Sequence, residues 1–162
     1  MGKDYKTTMI NLIILGFGSL SFGEGWGEVN TRIMKTTIFI WTLRLTAGII
    51  LLQTLFFKFS ASEESVYIFT TLGMEPFGRI GSGIAELIAA ILILIPRTTL
   101  LGALMGMGVM LGAIFSHIFV LGIEVKNDGG TLFILAIIVF ICCAVLVFMN
   151  KNKIPDLMKF KI

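Results

Sequence analysis

The chain has 162 residues, of which 56% are hydrophobic and 14% are charged, and its mean hydropathy is +0.96. These values exclude a disordered chain and are too apolar for an ordinary soluble domain. The net charge of +3 does not indicate nucleic-acid binding, because the basic residues lie between and beyond the apolar runs rather than on one polar face. The composition therefore predicts one small domain within a lipid bilayer.

The segment before the first long apolar run is difficult to interpret as a membrane element. Its apolar part, residues 9–17, is too short to cross a bilayer, and no small-residue cleavage site of a signal peptide follows it. Residues 19–29 are rich in glycine, and Met34 followed by Lys35 resembles a natural start. We therefore interpret residues 1–33 as a mis-assigned extension or a poorly structured interfacial arm.

The first long apolar run predicts a membrane-spanning helix over residues 37–57, since about 20 apolar residues cross a hydrocarbon layer of about 30 Å. Arg32 and Lys35 precede this run and Lys58 closes it. A polar, acidic stretch and a short aromatic segment follow over residues 60–73 and predict an outer loop.

The second predicted span, residues 76–95, begins at Pro76, which suits a first helical turn, and ends before Pro96. A very short connection leads into the third span, residues 100–121, so these two helices should form an antiparallel hairpin. The third span contains two glycine pairs spaced four apart. This spacing predicts close helix approach on two faces, at Gly102, Gly106, Gly108 and Gly112.

A loop over residues 122–130 precedes the fourth predicted span, residues 131–149. The tail, residues 151–162, carries four lysines, and with Arg97 these make one side of the membrane the more basic. The positive-inside rule makes that side cytoplasmic. The sequence thus predicts an all-α fold, a polytopic membrane four-helix bundle over residues 34–150, with both termini cytoplasmic.

Function should lie at the few ionisable groups within the spans, because each is costly in hydrocarbon. Counting 1.5 Å per residue, Arg44 lies about 10 Å and Glu86 about 15 Å from the cytoplasmic side, which predicts an ion pair between spans one and two. Gln53, Lys58 and His117 form a second polar level near the outer face. All five are candidates for substrate binding or proton relay, and a purely structural role is the alternative for the ion pair.

Known catalytic and metal-binding patterns do not stand out in the sequence. The adjacent Cys142 and Cys143 point in different directions on a helix, which excludes a disulfide framework and favours two small core residues. His117 is the sole histidine, so bis-histidine haem ligation within one chain is excluded. We expect no metal site and no catalysis by this chain on its own.

Several local sequences resemble the DoxX and DoxX-like membrane family over residues 35–150. They are Leu43–Gly48 with Arg44, Lys58, Gly83–Leu87 with Glu86, Pro96–Gly102, Gly112–Ala113 with His117, and Asn127–Gly130. The resemblance implies four membrane helices in a bacterial cytoplasmic membrane. It also implies association with quinol-oxidising, thiosulfate-oxidising or thiol-redox partners, and it carries over no haem, flavin or metal site.

The leading functional hypothesis is an accessory subunit linked to quinone or thiol redox chemistry, with quinone as the candidate cofactor. In this hypothesis Arg44 and Glu86 hold an apolar crevice together. Two alternatives stay open: a small-solute or proton transporter with Glu86 as its midplane carboxylate, and a structural membrane adaptor. The expected partners are the lipid bilayer, redox-enzyme subunits and further copies of the chain.

Overall fold

The structure is a computed structural model that describes residues 25–151, apart from the side chains of residues 25–30 and Arg32. The chain divides into two units, residues 1–37 and residues 38–162. In the first unit the described residues are helical, including residues 25–33, which the sequence had placed before the membrane domain. The predictions for residues 1–24 and for tail residues 152–162 lie outside the described residues.

Five α-helices follow one another along the described chain. They are α1 (Gly25–Phe59), α2 (Glu63–Thr71), α3 (Phe77–Leu94), α4 (Thr99–Ser116) and α5 (Thr131–Met149). A π-helical turn, His117–Leu121, continues α4. Residues 25–151 contain no β-strand, which confirms the predicted all-α class.

Four segments are long and apolar enough to cross a membrane, and each overlaps one predicted span. They are Ile33–Phe59, Phe77–Leu94, Thr99–Leu121 and Thr131–Met149. The predicted polytopic four-helix architecture is therefore confirmed. The sidedness of the termini stays a prediction.

Helix α2 occupies the stretch that the sequence predicted as an outer loop. It begins after Ser62, whose Oγ accepts a hydrogen bond from the Ser65 amide at 3.3 Å. Glu63 and Glu64 lie in its first turn, where their negative charges interact favourably with the positive end of the helix dipole. The Ser-Glu-Glu start was thus a readable helix signal, and the prediction of a loop was wrong.

Successive spans run antiparallel, as paired contacts along each helix show. At one end of α3 the Arg44 side chain meets Ile93, and towards the other end Thr54 meets Glu86. On α4, Gly102 faces the backbone of Leu92 and Ile93. The sequence prediction of an α3–α4 hairpin agrees with this arrangement.

Small side chains let these helices approach closely. A Cβ at Gly102 would lie 2.5 Å from the Ile93 nitrogen, and one at Gly106 would lie 3.0 Å from the Cys143 sulfur. Between the helices lies one cluster of buried residues: Ala47, Leu51, Ala89, Ala90, Ile93, Ala103, Met110, Ala136, Val139, Cys142, Cys143 and Leu146. Many large apolar side chains point outwards and are exposed, as expected when the surrounding solvent is lipid.

Candidate functional site at Lys58 and Glu86

Glu86 is a buried carboxylate that lies near the middle of α3. Its side chain is only 3% exposed. The Lys58 Nζ atom lies 2.5 Å from its Oε1 atom, and the Thr54 hydroxyl donates to its Oε2 atom at 3.0 Å. The Thr54 hydroxyl also lies 2.8 Å from the Leu51 carbonyl, so its one proton is shared between the two acceptors. We call Glu86, Lys58 and Thr54 the Lys58 cluster.

Helix geometry brings the two α1 members of the Lys58 cluster together. Thr54 and Lys58 are four residues apart, so their side chains lie on the same face of α1. Close approach of α1 to α3 is possible because Gly83 has no side chain: a Cβ there would lie 3.3 Å from the Phe59 ring. Lys58 lies one residue before the end of α1 and extends its long stem to Glu86.

A second ion pair supports the end of α1 beside this cluster. The Arg79 Nη2 atom lies 2.8 Å from the Glu75 carboxylate, and Arg79 Nε donates to the same group at 2.9 Å. Arg79 Nη1 also donates to the carbonyl of Lys58, one of the carbonyls that a helix end leaves without an intrahelical partner. The Phe69 ring of α2 lies 5.8 Å from Lys58 Nζ. These contacts fix the backbone from which the lysine extends.

The predicted Arg44–Glu86 ion pair is wrong. Arg44 is buried, but its Nε atom donates to the Ile93 carbonyl at 2.8 Å, its Nη2 atom donates to the Leu94 carbonyl, and the Trp41 ring lies 4.2 Å from the guanidinium. Arg44 thus satisfies the carbonyls at the end of α3.

The reason for this error is register. The depth estimate set Thr37 and Pro96 level with each other, whereas the structure sets Arg44 level with Ile93. Seven residues separate Ile93 from Glu86, which is about 10 Å along the helix. The true partner, Lys58, had been read as a boundary residue of the outer level.

Gln53 and His117 do not join the Lys58 cluster. Gln53 is exposed on the outer face of α1. His117 is buried at the start of the π-helical turn, where its Nδ1 atom lies 2.9 Å from the Gly122 carbonyl and its ring lies 5.6 Å from that of Phe133. The predicted outer level therefore separates into three distinct positions.

Two further groups were missed or left open by the sequence. Thr54 was missed, although its four-residue spacing from Lys58 was a signal for a shared face.

Cys142 and Cys143 are free thiols buried in the core, 7% and 0% exposed. No three His, Cys, Asp or Glu side chains come together as a metal site in the described part of the chain.

The predicted apolar crevice stays a prediction. An open, shallow depression of the described surface lies between α2 and the loop before α5, lined by residues that include Tyr67, Thr70 and Lys126. At the Lys58 cluster the lysine side chain is 16% exposed and the Glu86 side chain 3%.

Fold and site together define a multi-pass helical membrane protein with a buried lysine–glutamate pair. The model of the DoxX family matches residues 39–118, a stretch that contains Lys58, Glu86 and Arg44. Residues 39–118 therefore match the DoxX family, and the predicted resemblance is confirmed. Neither the curated proteins nor the solved structures gave a match.

Proposed function

We propose that the chain is a subunit of the bacterial cytoplasmic membrane that serves a quinone-linked redox system and binds a quinone head group at the Lys58 cluster. The observation that carries this proposal is the unequal exposure of the ion pair: 16% for the Lys58 side chain and 3% for that of Glu86. We infer that the lysine forms the accessible edge of the cluster, at which a lipid-soluble ligand binds.

The two ends of the pair suit the two redox states of such a ligand. The ammonium of Lys58 only donates hydrogen bonds and has three N–H groups, of which Glu86 takes one. The remaining donors suit a quinone carbonyl. An ionised Glu86 only accepts hydrogen bonds and suits the hydroxyl of a quinol.

Quinone is favoured over thiol chemistry by the position of the two cysteines. A redox-active thiol needs access to its reactant. Cys143 is completely buried and touches Gly106 of α4, and Cys142 is 7% exposed. Both therefore act as core residues, and a redox reaction would take place in a partner subunit that copurifies with this chain.

Photo-crosslinking tests this proposal. The chain is reconstituted in lipid nanodiscs with a photoreactive short-chain quinone, and the labelled peptide is identified by mass spectrometry. Label should appear on the α1 and α3 peptides of the cluster, and Lys58→Met should reduce labelling at least tenfold, about 1.4 kcal/mol of binding free energy.

The matched control is Lys126→Met. Lys126 also faces a carboxylate, that of Glu63 at 3.5 Å, but this pair is exposed and lies outside the Lys58 cluster. The control variant should label like the unchanged chain. Equal labelling of folded Lys58→Met and Lys126→Met proteins would show that the quinone does not bind at Lys58.

A transporter is the second candidate, and the depth of Glu86 favours it. Glu86 is nine residues from Phe77 and eight from Leu94, about 14 and 12 Å from the two ends of α3. In liposomes carrying a pH-sensitive dye, a proton-coupled transporter would acidify the interior on addition of its solute, and Glu86→Gln would abolish that flux. Quinone labelling without any flux would favour the redox subunit.

A further inference from the structure

Over residues 49–57 the outer face of α1 carries one polar side chain among large apolar ones. Gln53 lies four residues after Ile49 and three before Phe56, so the three form one stripe on the helix. Ile49 is 61% exposed and Phe56 is 72% exposed, and Gln53 is exposed between them. We call these residues the Gln53 stripe.

The amide of Gln53 has no hydrogen-bond partner among the described residues. Its neighbour Thr54 reaches Glu86 near the middle of α3, so Gln53 lies at the same depth, within the hydrocarbon layer. Acyl chains offer neither a donor nor an acceptor there, and an unpaired amide in such surroundings is costly. The side chain therefore needs a partner from outside its own chain.

We propose that the Gln53 stripe is the contact between two copies of this chain, with the Gln53 amide of each copy bonded to that of the other. Copies inserted into one membrane share an orientation, so a symmetric pair has its two-fold axis along the membrane normal. Two α1 helices that meet at this axis run parallel, and each residue on the axis meets its own counterpart.

A glutamine amide is complementary to itself under this symmetry, because it has both a carbonyl acceptor and an N–H donor. Amides and hydroxyls are recognised contacts between membrane helices. The stripe lies away from the α1 face that holds Thr54 and Lys58 against α3, so the pairing does not depend on the proposed quinone site.

Cross-linking with the amide left intact tests the contact. Ile49→Cys and Phe56→Cys variants in liposomes are treated with a short bismaleimide, and covalent dimers are counted on a denaturing gel. The control is Ile141→Cys, a residue of α5 that is 54% exposed. Dimers should form at positions 49 and 56 and exceed those of the control and of the unchanged chain, whose cysteines are buried.

The role of the amide is tested by dilution in lipid. Gln53→Leu should raise the dissociation constant of the dimer about threefold to twentyfold, because such a contact contributes about 0.6 to 1.7 kcal/mol. Gln53→Asn, which keeps an amide, should lose less. Cross-linking no greater than that of the Ile141→Cys control, adducts with another protein in native membranes, or an unchanged dissociation constant for Gln53→Leu would each overturn the proposal.

Discussion

Lys58 and Glu86 differ in the free-energy cost of losing the partner charge. The carboxylate is enclosed at mid-depth, whereas the lysine lies near a helix end and has a flexible stem that can move its charge towards the interface. Loss of the lysine therefore leaves a buried charge, while loss of the carboxylate charge leaves a cation that can withdraw.

We expect Lys58→Met to destabilise the protein by about 3 to 5 kcal/mol, the usual cost of removing one partner of a buried ion pair. Glu86→Gln should cost less, because its amide still accepts the Thr54 hydroxyl bond and Lys58 can reorient. Unfolding of both variants in mixed micelles measures the difference. An equal loss of stability in the two variants would contradict the asymmetry argued from exposure.

At the same scale, the sequence located the important charges but assigned one partner wrongly. Arg44, Lys58 and Glu86 were identifiable because ionised groups in apolar runs are rare and costly. The partners of Arg44 were not, since the carbonyls of Ile93 and Leu94 are backbone groups that no side-chain pattern marks. A charge in a membrane helix has the ends of neighbouring helices as partners as well as opposite charges.

At the scale of elements, hydropathy located the four spans because lipid requires long apolar helices. It could not show which helix faces pair. The two glycine pairs of α4 have the same spacing, yet Gly102 and Gly106 touch neighbouring helices, whereas nothing lies within 4 Å of a Cβ at Gly108 or Gly112. The prediction of two close-approach faces is thus correct for the first pair and wrong for the second within the single chain.

We expect Gly102→Ala to destabilise the bundle by about 1 to 3 kcal/mol, as overpacking does, because its Cβ would collide with the α3 backbone. Gly108→Ala is the matched control on the same helix. It should be neutral or slightly stabilising, since alanine is the better helix former. Thermal unfolding of the two variants measures this, and a larger loss for Gly108→Ala would show that another surface contacts that face.

The loop before α5 is organised by Asp128, which the sequence did not single out. Its Oδ1 atom accepts from the amides of Val125 and Gly130, both at 2.9 Å, and its Oδ2 atom accepts from that of Leu132 at 3.0 Å. Burial on its own raises the pKa of Asp128. The three amide hydrogen bonds and the nearby His117 lower the pKa by more than burial raises it, so the net pKa lies below the ordinary value of 3.8.

Since the folded state lowers this pKa, the stabilisation by Asp128 is complete above pH 3.8 and is lost as the pH falls through the folded-state value. Asp128→Asn should cost about 1 to 2 kcal/mol at neutral pH, as the loss of a capping carboxylate does. The difference in unfolding free energy between the unchanged chain and the Asp128→Asn variant should shrink below pH 3.8. A difference that grows on acidification would contradict this assignment.

At the scale of the whole molecule, the alternation of four antiparallel spans places the loop between α3 and α4 on the same side as the end of α5. The exposed Arg97 and Lys151 therefore share a side, which the positive-inside rule predicts to be the cytoplasmic one. The loop after α4, with Glu124, lies on the opposite side.

We expect a membrane-impermeant maleimide to label Glu124→Cys in intact cells and Lys151→Cys only after the membrane is opened. The positions are exposed and lie outside the four spans, and both variants leave Arg97 in place. Labelling of Lys151→Cys in intact cells would reverse the predicted orientation.

The π-helical turn after α4 has a consequence for chain length. The Gly122 amide bonds to the His117 carbonyl five residues back, at 2.8 Å, where an α-helix bonds four back. The turn therefore accommodates one extra residue without displacing the start of the loop. If one of the exposed residues Ile118, Phe119 and Val120 were deleted, an ordinary α-helical turn could end at the same glycine. The rest of the helix is fixed by packing, so this turn is the position where a one-residue insertion or deletion is best tolerated.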